Sequence, residues 1–269
     1  MRAGYLFVAP AVLFLAALLV YPVVLNVVMS FQDVTAATML TGSDWVGVEN
    51  YRAAFADELF VTAAWHSAVF AGASVTVQLL LGLALALFYA QVFPGARVFR
   101  SLFMVAYAIP VVVSAELFRW LFSGPGWLVD TSLVLPALVG IQCWLGVPFV
   151  MVSLLAGLTA VPRVLHEAAM IDGAGAWQRF RAVTWPLLRP TLLATAVLSA
   201  IFTLKSFDLV WIATQGGPAN ASEILPTLAY RLVFGSFLFG KGAAVLNVVF
   251  AALFVLSLLY LRAQRREAR

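Results

Sequence analysis

Six apolar runs, each long enough to cross a bilayer, constrain this chain more than any other feature. A helix needs roughly 20 mostly apolar residues to cross about 30 Å of hydrocarbon. The stretches 6–30, 62–90, 101–122, 133–159, 189–213 and 236–261 qualify. Irregular backbone cannot face lipid with its amides unpaired, so each run is expected to be a helix. A β-barrel would alternate polar and apolar residues, and the run from Val75 to Phe88 does not. Charged residues make up 10% of the 269, against about 25% in soluble domains. So few charges cannot clothe a water-soluble surface, which excludes a soluble enzyme, a disordered chain and a nucleic-acid binder. The first run follows Arg2 as a signal peptide would, but it continues without a small-residue cleavage site and is read as a retained span.

Charge placement orients the spans. Arg2, Arg97, Arg100, Arg163, Arg179, Arg181, Arg189, Arg262, Arg265, Arg266 and Arg269 fall on one side, which makes 11 of the 16 basic residues. Arg52, Arg119, Lys205, Arg231 and Lys241 lie opposite or within spans. The positive-inside rule therefore makes the first side cytoplasmic. An even number of spans puts both termini there, and the chain reads as one transmembrane domain over 1–269.

The segment 160–188 is longer than a simple connection. Pro162 suits a helix start, Val164–Ile171 has helical composition, and Gly173 and Gly175 are placed to end it. Ala174–Val183 is expected to be a second short helix, stopped by Pro186. The residues alone leave two readings open: an amphipathic helix on lipid headgroups, or a dock for another protein.

Glu167-Ala-Ala-Met-Ile-Asp-Gly173, followed by Trp185-Pro-Leu-Leu-Arg-Pro190, resembles the EAA loop of ABC importer permeases. Thr214-Gln-Gly-Gly-Pro218, Tyr230-Arg231, Phe239-Gly240, Phe31, Asn50-Tyr51 and Val147-Pro-Phe149 resemble the carbohydrate-uptake branch, of the maltose and glycerol-phosphate type. The resemblance covers essentially the whole chain. It implies an all-α, six-span type I importer permease in which the EAA loop is a coupling helix seated on an ATP-hydrolysing subunit. On that reading Glu167, Ala168, Ala169, Asp172, Gly173 and Ala174 make the coupling contacts. It further implies a second related permease, two ATPase subunits that carry ATP and magnesium, an extracytoplasmic solute-binding protein, and no cofactor in this chain.

Polar residues inside spans are expensive and mark cavities or interhelical contacts. Gln142, Leu145, Gly146 and Phe149 recur at i, i+3, i+4 and i+7, which is one helix face. Helix packing and a solute cavity both account for that face. Trp144-Leu145-Gly146 is similar to a motif that lines the sugar site in the maltose-type permease, which favours the cavity. Counted back from Gly216-Gly-Pro218, the resemblance adds Phe202, Thr203 and Ser206 as solute contacts. Lys205 and Asp208, three apart, are expected either to pair with each other or to leave Lys205 as a ligand for an anionic solute. Glu116 and Arg119 share that spacing and are read as a structural pair.

Other signals carry less. Gly235-Ser-Phe-Leu-Phe-Gly240-Lys241 imitates a phosphate-binding loop, but Gly242 stands where Ser or Thr is needed and no strand precedes it. His66 and His166 lack neighbouring ligand residues, and Cys143 reads as a buried thiol, so no metal site is expected. The expected function is the channel subunit of an ATP-driven importer of a sugar or sugar-like solute, working by alternating access, with no covalent chemistry of its own. An ion-driven secondary transporter is the alternative. It would need titratable groups at mid-membrane in matched broken spans, and Lys205 and Asp208 alone come near that description.

Overall fold

An apolar run continues as helix until a glycine, a proline or a packing demand ends it, and the structure is a succession of such helices. The computed structural model describes residues 2–91 and 93–267, with side chains from 8 to 91 and from 93 to 262. Arg2, Arg265, Arg266 and Arg269, counted in the orientation above, lie outside the residues whose side chains are described. In chain order the helices are α1 (Arg2–Met29), α2 (Thr38–Thr41), α3 (Glu49–Ala56), α4 (Glu58–Tyr89), α5 (Ala96–Ala108), α6 (Val111–Ser123) and α7 (Val134–Thr159). They continue as α8 (Arg163–Ile171), α9 (Ala176–Arg179), α10 (Trp185–Leu204), α11 (Phe207–Ala213), α12 (Leu225–Tyr230) and α13 (Phe239–Glu267). π-helical turns occupy Phe180–Thr184 and Arg231–Gly235.

Among the described residues, five helical stretches are long and apolar enough to span a bilayer, six if a bent pair is counted as one span. That pair departs from the expected single helix over 101–122: α5 and α6 meet at 92°. Pro110 has no amide hydrogen, and its ring drives the preceding Ile109 to extended backbone (φ −74°, ψ 128°). At 1.5 Å per residue each 13-residue arm reaches about 20 Å, too short to cross alone. The run 189–213 is also interrupted. Ser206 takes φ −76° and ψ 63°, and the Phe207 amide donates to the Lys205 carbonyl at 2.8 Å. This is an inverse γ-turn separating α10 from α11.

The second short helix after Gly173 is not stopped by Pro186. α9 runs through the π turn into α10 as one apolar stretch from Ala176 to Leu204. Trp185 N–H bonds to Phe180 O across the turn. A proline ring collides with the carbonyl four residues back in a regular helix, and that carbonyl, on Ala182, lies within the widened turn.

The helices form two compact units, Met1–Ala64 with Ile224–Ala251, and Trp65–Glu223 with Ala252–Arg269. In the first, Phe60, Ala63, Leu225, Leu228, Ala229 and Val245 form the apolar core. Polar contacts tie its ends. Asn26 Nδ2 donates to Asn247 Oδ1 at 2.7 Å, Asn247 Nδ2 donates to Tyr51 Oη at 3.0 Å, and Tyr51 Oη meets Ser30 Oγ at 2.7 Å. Gly240, part of the phosphate-loop lookalike, packs directly on the Gln32 carbonyl with no room for a Cβ. Its glycine is needed for that backbone approach.

In the second unit α7 is the central helix, packed by α5, α6, α10 and α11. Its core joins Ala86 and Tyr89 of α4 to Val150, Met151, Leu154 and Leu155 of α7 and Leu188 of α10. Small residues let these helices approach, as is usual in membranes. A Cβ on Gly82 would strike Val150, and one on Gly157 would lie 2.9 Å from Leu188 and 3.0 Å from Thr191.

Candidate functional site

The polar face read on α7 opens onto a cavity of about 260 Å³ in the second unit. Gln142, Leu145, Gly146 and Phe149 supply one wall. The end of α10 and the turn after it bring Ser199, Phe202, Lys205 and Ser206, α11 brings Asp208, and α4 brings Gln78. Tyr107 and Val111 line it from either side of the Pro110 bend.

The cavity lining combines aromatic and polar side chains. Phe149 stacks on Tyr107 at 6.3 Å between ring centroids and meets Phe202 edge-on at 5.8 Å. A chain of hydrogen bonds, most of them buried, ties the polar groups together. Ser206 Oγ donates to Gln142 Oε1 at 3.1 Å, and Gln142 Nε2 donates to Thr203 Oγ1 at 3.2 Å. Thr203 Oγ1 in turn donates to Ser199 O at 2.8 Å. Gln78 Nε2 donates to Gln142 O at 3.0 Å, and Ser199 Oγ donates to Gln78 Oε1. Gln78 thus links α4, α7 and α10. Gly146 leaves the space for it, since a Cβ there would lie 2.5 Å from the Gln78 carboxamide.

Eight of the residues singled out from sequence line this cavity: Gln142, Leu145, Gly146, Phe149, Phe202, Lys205, Ser206 and Asp208. Thr203 does not. It is fully buried and spends its hydroxyl on Gln142 and Ser199. Gln78, Tyr107, Val111 and Ser199 were missed. Gln78 alone carried a signal, as a single amide inside the 32-residue apolar helix α4.

Lys205 and Asp208 do not form an ion pair, because the turn at Ser206 cancels the helical i, i+3 geometry that would join them. Each charge instead suits a helix end: Lys205 caps the C-terminus of α10 and Asp208 sits in the first turn of α11. Lys205 Nζ lies 5.8 Å from the Phe202 ring centroid. The exposed pair Arg119–Glu116 does form, at 3.3 Å.

The 160–188 segment presents a different surface. α8 buries none of its residues, and Val164 and Ile171 are 70% and 87% exposed. Glu167 and Ala168 are exposed on it, Ala169 is half-buried, and Asp172 is its C-cap. Gly173 holds φ +78°, its amide bonds to Met170 O at 3.0 Å, and the Ala174 amide reaches Ala169 O at 2.9 Å. That pair of bonds is a Schellman stop, which requires a left-handed residue at Gly173. Gly175 N–H then bonds to Gln178 Oε1 at 2.7 Å to start α9.

Among the described residues no group of three or more His, Cys, Asp or Glu side chains could hold a metal ion. His66 Nδ1 packs against the Glu223 carbonyl at 3.2 Å, and buried Cys143 lies with its Sγ 3.7 Å from Ser74 O.

Comparison with known proteins supplies the context. The family described as the binding-protein-dependent transport system inner membrane component matches residues 78–268. The chain is 33% identical over 287 residues to the diacetylchitobiose uptake system permease protein of Streptomyces coelicolor, covering 97% of this chain and 86% of that protein. It is 30% identical over 282 residues to the trehalose/maltose transport system permease protein of Thermococcus litoralis, covering 98% and 94%. A chain from a crystal structure of a bacterial ABC transporter, involved in importing the acidic polysaccharide alginate, superposes with a TM-score of 0.82. That match covers 98% of this chain and 96% of the other at 19% identity, and it bears on the fold.

Proposed function

Since this chain belongs to the family of binding-protein-dependent transport system inner membrane components, and is thus a membrane-spanning permease subunit of an ABC importer with ATP hydrolysis on separate chains, we propose that its 260 Å³ cavity is a station for a sugar or sugar-like solute. One observation carries this reading: the cavity lining joins the contacting rings of Tyr107, Phe149 and Phe202 with amides and hydroxyls from Gln78, Gln142, Ser199 and Ser206. Pyranose rings offer apolar faces and hydroxyl edges, and this cavity offers a surface for each. The curated relatives that transport diacetylchitobiose and trehalose/maltose support the same class. Gln142, Leu145, Gly146, Phe149, Phe202 and Ser206 make the solute contacts, Lys205 and Asp208 flank them, and Thr203 acts by holding Gln142.

The 160–188 loop faces the cytoplasm in this proposal, as do both termini. Glu167, Ala168, Ala169, Asp172, Gly173 and Ala174 dock on an ATPase subunit, where ATP and magnesium bind. The exposed, unburied α8 with its fixed stop at Gly173 supports a rigid docking element. A second related permease completes the pathway, and an extracytoplasmic binding protein delivers the solute. Closure of the ATPase pair moves the coupling helices and rocks the spans between inward and outward openings. No observation favours an ion-driven carrier.

The test is ATP hydrolysis by the complex purified with its neighbouring gene products, with the binding protein and a panel of sugars and sugar phosphates. Stimulation by one loaded binding protein is expected, and a phosphorylated solute would make Lys205 its ligand. If no ATPase subunit co-purifies and no cargo stimulates hydrolysis, the reading fails.

A further inference from the structure

A second recess, of about 620 Å³, lies where α4 and α7 end and α5 begins, away from the solute cavity. Tyr89, Phe93, Leu155 and Thr159 contribute to its lining together with Arg97 and Arg100, and no lining residue is acidic. Arg100 donates one Nη2 bond to the Tyr89 carbonyl at 3.1 Å, capping the end of α4. Its Nε is buried and has no hydrogen-bond partner. Neither guanidinium forms an ion pair among the described residues. The recess is thus lined by two guanidinium groups with no acidic side chain beside them.

We propose that this recess binds a phosphate-bearing anion, in the membrane the headgroup of an anionic phospholipid. Three features point to that chemistry. Two arginines present forked donors suited to phosphate oxygens. The start of α5 adds the positive end of a 13-residue helix, opened by Gly95 at φ +82°. Tyr89 and Thr159 are the last residues of two membrane spans, which puts the recess at headgroup depth, where basic pockets between helices collect anionic lipids. Thr159 also closes α7 only four residues before Arg163 opens α8. A bound phosphate would therefore fix the root of the exposed α8 segment.

The experiment uses the whole importer, stripped of lipid in neutral detergent and titrated by native mass spectrometry. Phosphatidylglycerol, phosphatidylcholine and inorganic phosphate are the probes. An arginine near an anionic surface contributes about fivefold, so the two together predict a preference of about thirtyfold for phosphatidylglycerol over phosphatidylcholine. Arg97→Gln should reduce it to about fivefold, and Arg97→Lys should keep most of it. Arg97 is the site to change because it is exposed, whereas Arg100 also caps α4. Displacement of the lipid by millimolar inorganic phosphate would support a site for free phosphate as well. Phosphatidylglycerol binding that resists phosphate would support a headgroup site. Equal binding of the two lipids without phosphate binding overturns the proposal, and so does a preference unchanged in Arg97→Gln while the complex stays monodisperse.

Discussion

Gly146→Ala tests whether the polar wall of the cavity is one connected structure. The new Cβ would lie 2.5 Å from Cδ and Nε2 of Gln78, so that side chain must move. Moving it breaks two interhelical hydrogen bonds, Gln78 Nε2 to Gln142 O and Ser199 Oγ to Gln78 Oε1. Interhelical hydrogen bonds in membrane proteins average about 0.6 kcal/mol each and reach about 1.7. The substitution should therefore destabilise the chain by about 1–3 kcal/mol, most of it through Gln78. Gln78→Ala loses the same bonds but vacates the space that the added methyl group needs. In the Gln78→Ala background, Gly146→Ala should then be within about 0.5 kcal/mol of neutral. Unfolding of the four proteins by titration with SDS in mixed micelles gives the cycle, and solute-stimulated ATPase activity gives its functional counterpart. Equal costs of Gly146→Ala in both backgrounds would refute the argument, because the glycine would then serve something other than Gln78.

Three further predictions follow from the same geometry. Gly173→Ala forces an L-residue into the left-handed region at a cost of roughly 1–2 kcal/mol; the complex should still assemble, but hydrolysis stimulated by loaded binding protein should fall, and normal stimulation would count against α8 as the dock. Single and double neutralisation of Lys205 and Asp208, as Lys205→Met and Asp208→Asn, should change stability additively within about 0.5 kcal/mol, whereas a larger coupling would mean that the two charges pair after all. Asp130, outside the spans, accepts bonds from the Ser132 hydroxyl and amide and from the Leu133 amide, and these hold its carboxyl below the usual 3.8. A depressed carboxyl stabilises the loop above its unfolded pKa and loses that contribution as pH falls through the folded value. Hydrogen exchange at the Ser132 amide should accelerate only below pH 3.8, and Asp130→Asn should remove that pH step.

The two broken spans were hidden from the sequence for different reasons. Pro110 was in plain view, but membrane helices tolerate proline when neighbours satisfy the freed backbone groups, so the residue alone does not set a 92° bend. Lys205-Ser206-Phe207 contains no breaker at all. Its γ-turn sets Ser206 against Gln142 on another helix and separates Lys205 from Asp208. Thr203 failed as a cavity residue because it is fully buried, with its hydroxyl bonded to Gln142 and Ser199 instead of facing the cavity.

The sequence by itself determined where the apolar runs lie, the α8 stop at Gly173, and the common face of Gln142, Leu145, Gly146 and Phe149. Each of these depends on local properties of the chain: hydropathy, the freedom of glycine to adopt a left-handed backbone, or the 3.6-residue period within one helix. Tertiary structure decided that Gln78, 64 residues away, would bond to the Gln142 carbonyl and occupy the space beside Gly146. It also decided that Arg97 and Arg100 would share a recess with Leu155 and Thr159. Such pairings depend on how one helix packs against another, and residue spacing along a single chain carries no record of that.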